Sequence, residues 1–482
     1  MQSYVKHSII ASAAILFTLI ASTNILQKWK TLTPVKSTIL ERSTETPTTS
    51  IANHNLNIFN DYGLPILDGS KLPEYSYELA KIAIRPSPWI CGKEYDNTVD
   101  PLTHQKPFFI FVHVYKTAGS TLRSFFQKFA QICSKSWILV IHCTGVNLST
   151  IQSEEGNWEK CDVKSKLESV PSGRRSLSVN NSMLRERFDI LGGHLRIGTA
   201  DNVFRNNSSK HLASLQHYSD ESAPPLRHIV FLRNPMDRYV SGILYQKFEV
   251  KKKKYSVDHV VQIIKEEVIG ARKKNQYQDR ILGYLLTPVQ VDSLNKYLNQ
   301  VNKMKSENCT IPDNNLPKNI AEYKTLLAIH NLFHYNVVVG MTERMTESMQ
   351  ILKQILGNEF RDDKSRKDVY ELFEKFAPTE ASREVQNNVK TSNQTIDSKS
   401  VSDGVVLRTV NSTQGHDVSH GVFMNASKKI TTSFVLELLR QDEEFMMLFR
   451  EFLKYEQMIV DFAWGMHVMQ HEMVLILTGS TL

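Results

Sequence analysis

Phe108-Phe109-Ile110-Phe111-Val112-His113-Val114-Tyr115-Lys116-Thr117-Ala118-Gly119-Ser120-Thr121 is the stretch whose reading decides the fold. Its first five residues are apolar without a break, which predicts a strand buried on both faces rather than a half-exposed one. Beyond Ser120 the period changes. Leu122, Phe125, Phe126 and Phe129 recur at helical spacing and predict a helix over Ser120–Cys133. Between strand and helix lies a loop of small residues with one lysine. Small residues let backbone N–H groups approach an anion, and the helix start adds its favourable dipole. Lys116 supplies a mobile cation, while Ser120 and Thr121 offer hydroxyl donors and a cap. The rival reading is an ordinary strand–turn–helix with a solvated lysine. A Walker loop, G-x-x-x-x-G-K-[ST], is disfavoured because here the lysine comes first.

Outward from this unit, Ile138–His142, Phe188–Leu191, Leu226–Leu232 and Tyr335–Val339 are further short apolar runs. Helical patterns separate them, over Asp237–Lys247, Val257–Ile269, Thr342–Leu356 and Thr431–Tyr455. Buried strands alternating with helices argue for an α/β fold with a mainly parallel central sheet flanked by helices. Segments 149–183 and 385–428 are polar and poorly periodic, and read as loop insertions.

Two more segments carry chemistry. In Leu232-Arg233-Asn234-Pro235-Met236-Asp237-Arg238-Tyr239-Val240-Ser241, Arg233 follows an apolar strand, where α/β sheets place ligand contacts. Pro235 suits a helix start, and Ser241 falls about two turns beyond the arginine. A guanidinium and a hydroxyl converging on a phosphate is sound chemistry. Arg238 is left unassigned, since it also suits a structural pairing. Phe188-Asp189-Ile190-Leu191-Gly192-Gly193-His194 is a strand-like run ending in Gly-Gly-His. A histidine there is suited to accept a hydroxyl proton, although a lone histidine is more often structural. His113, inside the strand–loop junction, reads as a packing residue.

Taken together, these segments resemble the sulfotransferases that use 3′-phosphoadenosine 5′-phosphosulfate (PAPS). The nearest pattern is that of the Golgi carbohydrate enzymes of the heparan sulfate 2-O- and 6-O-sulfotransferase type. The resemblance implies a P-loop-like, PAPS-dependent sulfotransferase fold. It implies that Lys116, Thr117, Ala118, Gly119, Ser120 and Thr121 hold the 5′-phosphosulfate, and that Arg233 and Ser241 hold the 3′-phosphate. His194 becomes the candidate general base, and Lys116 the group that stabilises the leaving phosphate. Val338-Val339-Gly340-Met341-Thr342-Glu343 is similar to a V-G-x-T-E element of the family, with Thr342 a candidate N-cap. Asn425-Ala426-Ser427-Lys428-Lys429 and Asn275–Gly283 are looser likenesses. Tyr115 and Ala118 depart from the family pattern, which leaves room for an inactive luminal binding protein of the same fold. The other alternative, a P-loop-type kinase acting on a secretory substrate, would need a Walker lysine and a magnesium carboxylate near the loop, and neither arrangement is found. No metal ligand set is apparent, and none is required by this reading.

The chain of 482 residues is 41% hydrophobic and 22% charged, enough for a large core, and its formal charge of +8 favours an acidic partner. Under the resemblance that partner is a glycan, most simply an acidic polysaccharide, rather than nucleic acid. Lys251–Lys254 would steer such a polymer if they border the cleft, though charge runs are usually solvated surface. Residues 8–26 form an apolar run flanked by Lys6, Lys28 and Lys30. At 1.5 Å per residue it reaches roughly 28 Å, close to a bilayer core of about 30 Å. It reads as an uncleaved signal-anchor, with a cleavable signal peptide ending near Ala21-Ser22-Thr23 as the rival. The expected layout is a tail at 1–7, an anchor at 8–26, a Ser/Thr/Pro-rich stem at 27–105, a sulfotransferase domain at 106–460 and a tail at 461–482. That layout, with the resemblance, implies a single-pass Golgi membrane protein with its catalytic domain in the lumen. Sequons at Asn147, Asn180, Asn206, Asn207, Asn308, Asn393, Asn411 and Asn425 agree with the destination. Cys91, Cys133, Cys143, Cys161 and Cys309 suit one or two disulfides or buried thiols, and their spacing does not choose a pairing.

Overall fold

A computed structural model describes residues 67, 72–87, 90–92, 108–143, 161–166, 188–199, 226–250, 256–274, 276–278, 280–306, 320–356, 359–376, 423–425 and 428–479. All lie in the unit Asn53–Leu482. The expected anchor at 8–26, most of the stem and insertions, Lys251–Lys254, Cys309 and all the sequons but Asn425 fall outside the described residues. Among the described residues, no helix is long and apolar enough to cross a membrane.

In chain order the elements are α1 (Tyr77–Ala83), β1 (Ile90–Cys91), β2 (Phe108–Val112), α2 (Gly119–Ile132), β3 (Trp137–Cys143), β4 (Cys161–Lys166), β5 (Ile190–Gly193) and β6 (Leu226–Leu232). There follow α3 (Pro235–Leu244), a π-helical turn (Tyr245–Val250), α4 (Val257–Lys273), α5 (Leu282–Leu285), α6 (Pro288–Ser306), α7 (Ile320–His334) and β7 (Val338–Met341). Last come α8 (Met345–Ile355), β8 (Glu359–Phe360), α9 (Asp363–Phe376), β9 (Phe423–Asn425), β10 (Lys428–Ile430), α10 (Thr432–Arg440) and α11 (Glu443–Thr478).

Among the described residues, six strands form the central sheet in the order β4-β3-β5-β2-β6-β7. Neighbours run parallel except β4, which is antiparallel to β3. The five buried residues of β2 lie at the middle of this sheet, as a continuous apolar run should. The register aligns the carboxyl ends: Val112 pairs with Gly193 of β5 on one side and with Val230 of β6 on the other. After β2 the chain goes to one flank of the sheet and later crosses to the other, so β2 borders a topological switch point, where α/β sheets bind ligands. On one face α2 buries Phe125, Phe126 and Phe129, and Phe125 meets Phe373 and Phe376 of α9 at 5.0 and 5.5 Å between ring centroids. Each fully buried phenylalanine contributes roughly 1.5–3 kcal/mol. A second core joins α3, α4, α10 and the first half of α11.

Four expectations need correction. The stem does not run unstructured to 105: Ser76 caps α1, and Tyr75, Ala80, Ala83 and Ile84 are buried in the main core. Cys91 is disulfide-bonded to Cys133, at the C-terminus of α2. Small alanines at helical spacing carry too little hydrophobic signal to stand out of a Pro- and Ser-rich background. The insertion read at 149–183 contains β4, an edge strand of alternating polar sequence (Cys161-Asp162-Val163-Lys164-Ser165-Lys166). The insertion at 385–428 ends in the hairpin β9–β10. The domain does not stop at 460, because α11 continues to Thr478 and buries Ala463, Met466, His467, Gln470, Met473 and Val474. At 36 residues it extends about 54 Å. Its polar members His467 and Gln470 serve the sheet: His467 Nδ1 donates to Val339 O at 2.9 Å, and Gln470 Nε2 donates to Val337 O at 2.8 Å.

Candidate active site

The loop after β2 is built by backbone handedness. Lys116 and Ala118 have φ of 65° and 57°, whereas Thr117 between them does not share that sign. Alternation of this kind turns successive N–H groups toward one point, which is an anion-binding concavity. Helix α2 then starts with Ala118 at its N-cap, no side-chain cap bond and no acidic residue in its first turn. By contrast Ser76, Asn234, Ser256, Thr431 and Asp442 cap their helices with side-chain oxygens. Capping by Ser120 or Thr121 was expected and is not made. Both lie inside the first turn, Ser120 exposed and Thr121 half-buried. Thr117 turns its side chain inward. Its side chain is fully buried and its hydroxyl donates to Val114 O at 2.9 Å, so toward a ligand it has only its backbone N–H to offer.

Beside the loop, β5 delivers His194 to the same level. Gly193 has a φ of 136°, and a Cβ there would lie 2.0 Å from Val140 O, so this position needs glycine. The ring of His194 stacks on that of His113 at 4.2 Å between centroids, and His194 Nδ1 lies 3.1 Å from His113 O. A carbonyl oxygen only accepts, so Nδ1 carries the proton and Nε2 is the basic nitrogen. Tyr284 stands 5.9 Å away, ring to ring. His113 therefore does more than pack. It is 5% exposed, and a Cβ on Gly119 would fall 1.6 Å from its ring, so the loop glycine is what admits this imidazole. Burial first, then the charges of His194, Arg123 and Lys116, hold His113 well below the usual histidine pKa, in its neutral form.

On the other side of β2, β6 ends at Arg233. Its guanidinium is one quarter exposed and makes a long 3.7 Å ion pair with Asp237, one turn into α3. Asn234 caps α3 by accepting from Met236 N (3.0 Å) and Asp237 N (3.4 Å), and its own N–H donates to Glu343 Oε1 at 2.7 Å. Glu343 follows β7, so the segment after β7 props the phosphate-side turn. Thr342 is not an N-cap but opens a 3₁₀ turn, its hydroxyl donating to Glu343 Oε2 at 3.1 Å. Ser241 lies on α3 and is half-buried. Arg238 is structural: it is buried, and Nη2 donates to Glu456 of α11. Sequence reasoning gave no role to Tyr245, Arg123 or Arg280. Lys116 Nζ lies 3.1 Å from the centroid of the Tyr245 ring, and the signal was its position one helical turn past Ser241. The guanidinium of Arg280 lies 5.9 Å from the Tyr115 ring.

Loop, histidine and arginine thus leave the carboxyl ends of β2, β5 and β6, three neighbouring strands, at one edge of the sheet. The donor set of backbone N–H groups, an ammonium, a guanidinium and a hydroxyl fits a ligand bearing phosphates at two places. Fold and donor set together are those of an α/β protein suited to a phosphorylated ligand. Residues 102–405, more than half of the chain, match the model of the sulfotransferase family. The chain belongs to the sulfotransferase family, and so to the transferases of sulfonyl groups, whose general donor is PAPS; this sets the kinase alternative aside. Neither a curated protein nor a solved structure matches the chain.

Proposed function

We propose that this protein transfers the sulfonyl group of PAPS to a carbohydrate hydroxyl, with His194 as general base and Lys116 stabilising the leaving phosphate. The observation that carries the reading is the bond between His194 Nδ1 and His113 O, which makes Nε2 the basic nitrogen beside the Lys116 loop. PAPS, when bound, supplies a sulfonyl group attached to a phosphate leaving group. His194 Nε2 takes the proton of the attacking hydroxyl. Lys116 and the N–H groups of Thr117, Ala118, Gly119, Ser120 and Thr121 neutralise charge that grows on the departing oxygen. Arg233 and Ser241 fix the 3′-phosphate, so positioning contributes much of the rate. The Arg233–Asp237 pair is long and solvated, hence weak, and yields to a phosphate at little cost.

An acidic polysaccharide is the acceptor class that the formal charge of +8 favours. The Cys91–Cys133 disulfide suits an oxidising compartment. With the apolar run at 8–26, it supports a Golgi membrane protein of one span whose catalytic domain is luminal. The test is incubation of the purified full chain with radiolabelled PAPS and a panel of desulfated glycosaminoglycans. Label should enter one class of polysaccharide, and Lys116→Ala and His194→Ala should each lose at least about 100-fold in turnover with unchanged circular dichroism. Near-normal transfer by Lys116→Ala would sink its role, and retained turnover in His194→Ala would move the base elsewhere. Label entering no polysaccharide but a protein or small-molecule hydroxyl would overturn the acceptor class.

A further inference from the structure

The ammonium of Lys116 has an aromatic seat. Nζ lies 3.1 Å from the Tyr245 ring centroid and 5.4 Å from that of Tyr115, and the two rings meet edge to face with centroids 6.1 Å apart. A cation over the face of a tyrosine is held by the ring quadrupole. Arg123, four residues into α2, also lies within electrostatic reach of Tyr245. Tyr245 is only half-buried and belongs to neither hydrophobic core, so packing gives it little to do. Its place in the chain is informative. It is the first residue after α3, one turn beyond Ser241, and it opens the π-helical turn Tyr245–Val250. Such turns are rare and frequent at functional sites, because the widened turn re-aims side chains.

We infer that Tyr245 is a positioning residue for sulfonyl transfer: its ring holds Lys116 Nζ at the mouth of the loop and ties the 3′-phosphate helix to the 5′-phosphosulfate loop. The inference rests on the proposed role of Lys116. A lysine side chain loses much rotamer freedom when it is fixed at one point. A ring that seats it beforehand removes that cost from the transition state, so the benefit falls on turnover rather than on nucleotide binding. Because Arg233 lies two residues before α3 and Tyr245, directly after it, meets Lys116, one rigid element sets the spacing between the two proposed phosphate sites.

Tyr245→Leu and Tyr245→Phe in the full chain test this, by steady-state transfer from PAPS to the polysaccharide that takes most label and by calorimetric binding of 3′-phosphoadenosine 5′-phosphate. Tyr245→Leu should lower kcat about tenfold, with nucleotide KM and Kd within about twofold of the parent. Tyr245→Phe keeps the ring face and should recover kcat to within about twofold. Equal kcat in Tyr245→Leu and the parent, or equal loss in the Phe and Leu variants, would overturn the seat. So would a loss confined to nucleotide affinity. If Lys116→Ala abolishes transfer while Tyr245→Leu does not change it, the seat alone fails. If Lys116→Ala keeps its transfer, the leaving-group reading and the seat fail together.

Discussion

Arg238 and Ser241 leave the same helix three residues apart and serve different ends. Ser241 is half-buried, whereas Arg238 is 1% exposed and paired with Glu456, itself fully buried. The second oxygen of Glu456 accepts from Ile281 N at 3.1 Å, so one carboxylate ties α3, α11 and the turn before α5. Two arginines in one motif thus split into a partly exposed cation, the proposed phosphate ligand, and an internal strut, and only burial tells them apart. Removing one partner of a buried pair leaves the other charge unanswered, which costs about 3–5 kcal/mol. Glu456→Ala should therefore shift urea unfolding by a loss of that size. The double change Arg238→Met with Glu456→Met should cost less, because apolar side chains of similar volume leave no buried charge. A single-variant loss below about 1 kcal/mol would mean that the Arg238 guanidinium finds another partner or water.

At the scale of elements, the period switch at Val112–Gly119 made the strand–loop–helix legible, because buried strands and amphipathic helices follow from hydrophobic spacing. Strands β2 and β6 have the expected bounds, and β3, β5 and β7 lie within a few residues of theirs. Less legible were elements whose partners are distant in sequence. Strand β4 is polar and takes its order from one neighbour, and the second half of α11 is stitched to β7 by His467 and Gln470 rather than by an apolar stripe. Side-chain direction in the loop was hidden as well, which is why the inward turn of the Thr117 hydroxyl and the place of Tyr245 went unnoticed. The clearest element-level test is Gly119→Ala. A methyl group 1.6 Å from the His113 ring must displace that ring or the helix start. It would disturb the carbonyl that orients His194. Transfer should fall at least tenfold, about 1.4 kcal/mol or more, while far-ultraviolet circular dichroism stays that of the parent. A Gly119→Ala variant with normal turnover would show that the His113–His194 stack is not needed.

Across the whole molecule, the histidines in and around the sheet divide into the proposed base and others held in the interior. His194 stands at the carboxyl edge with one nitrogen held by a backbone carbonyl, whereas His113, His228 and His467 are buried. Burial pushes His228 down to about 3, with His334 adding repulsion, and its Nε2 has no hydrogen-bond partner. Burial also lowers His113 and His467, the latter in spite of attraction from Glu347. In the unfolded chain each would titrate near 6.5. Between about pH 6.5 and 3 the unfolded chain therefore binds a proton at His228 that the native protein does not. The contribution of His228 is fully present above pH 6.5 and is lost as pH falls, by about 1.4 kcal/mol per pH unit, and His113 and His467 act in the same direction. His228 offers the cleanest separation, since it lies in β6 among buried residues and Tyr335 packs on it edge to face at 4.9 Å. His228→Phe keeps a ring there and removes the titration. Its thermal midpoint should fall less than that of the parent between pH 7.5 and 5, with transfer at pH 7.5 unaltered. An identical acid slope in the two proteins would mean that His228 takes up a proton in the folded state and that the acid sensitivity lies with the other buried histidines.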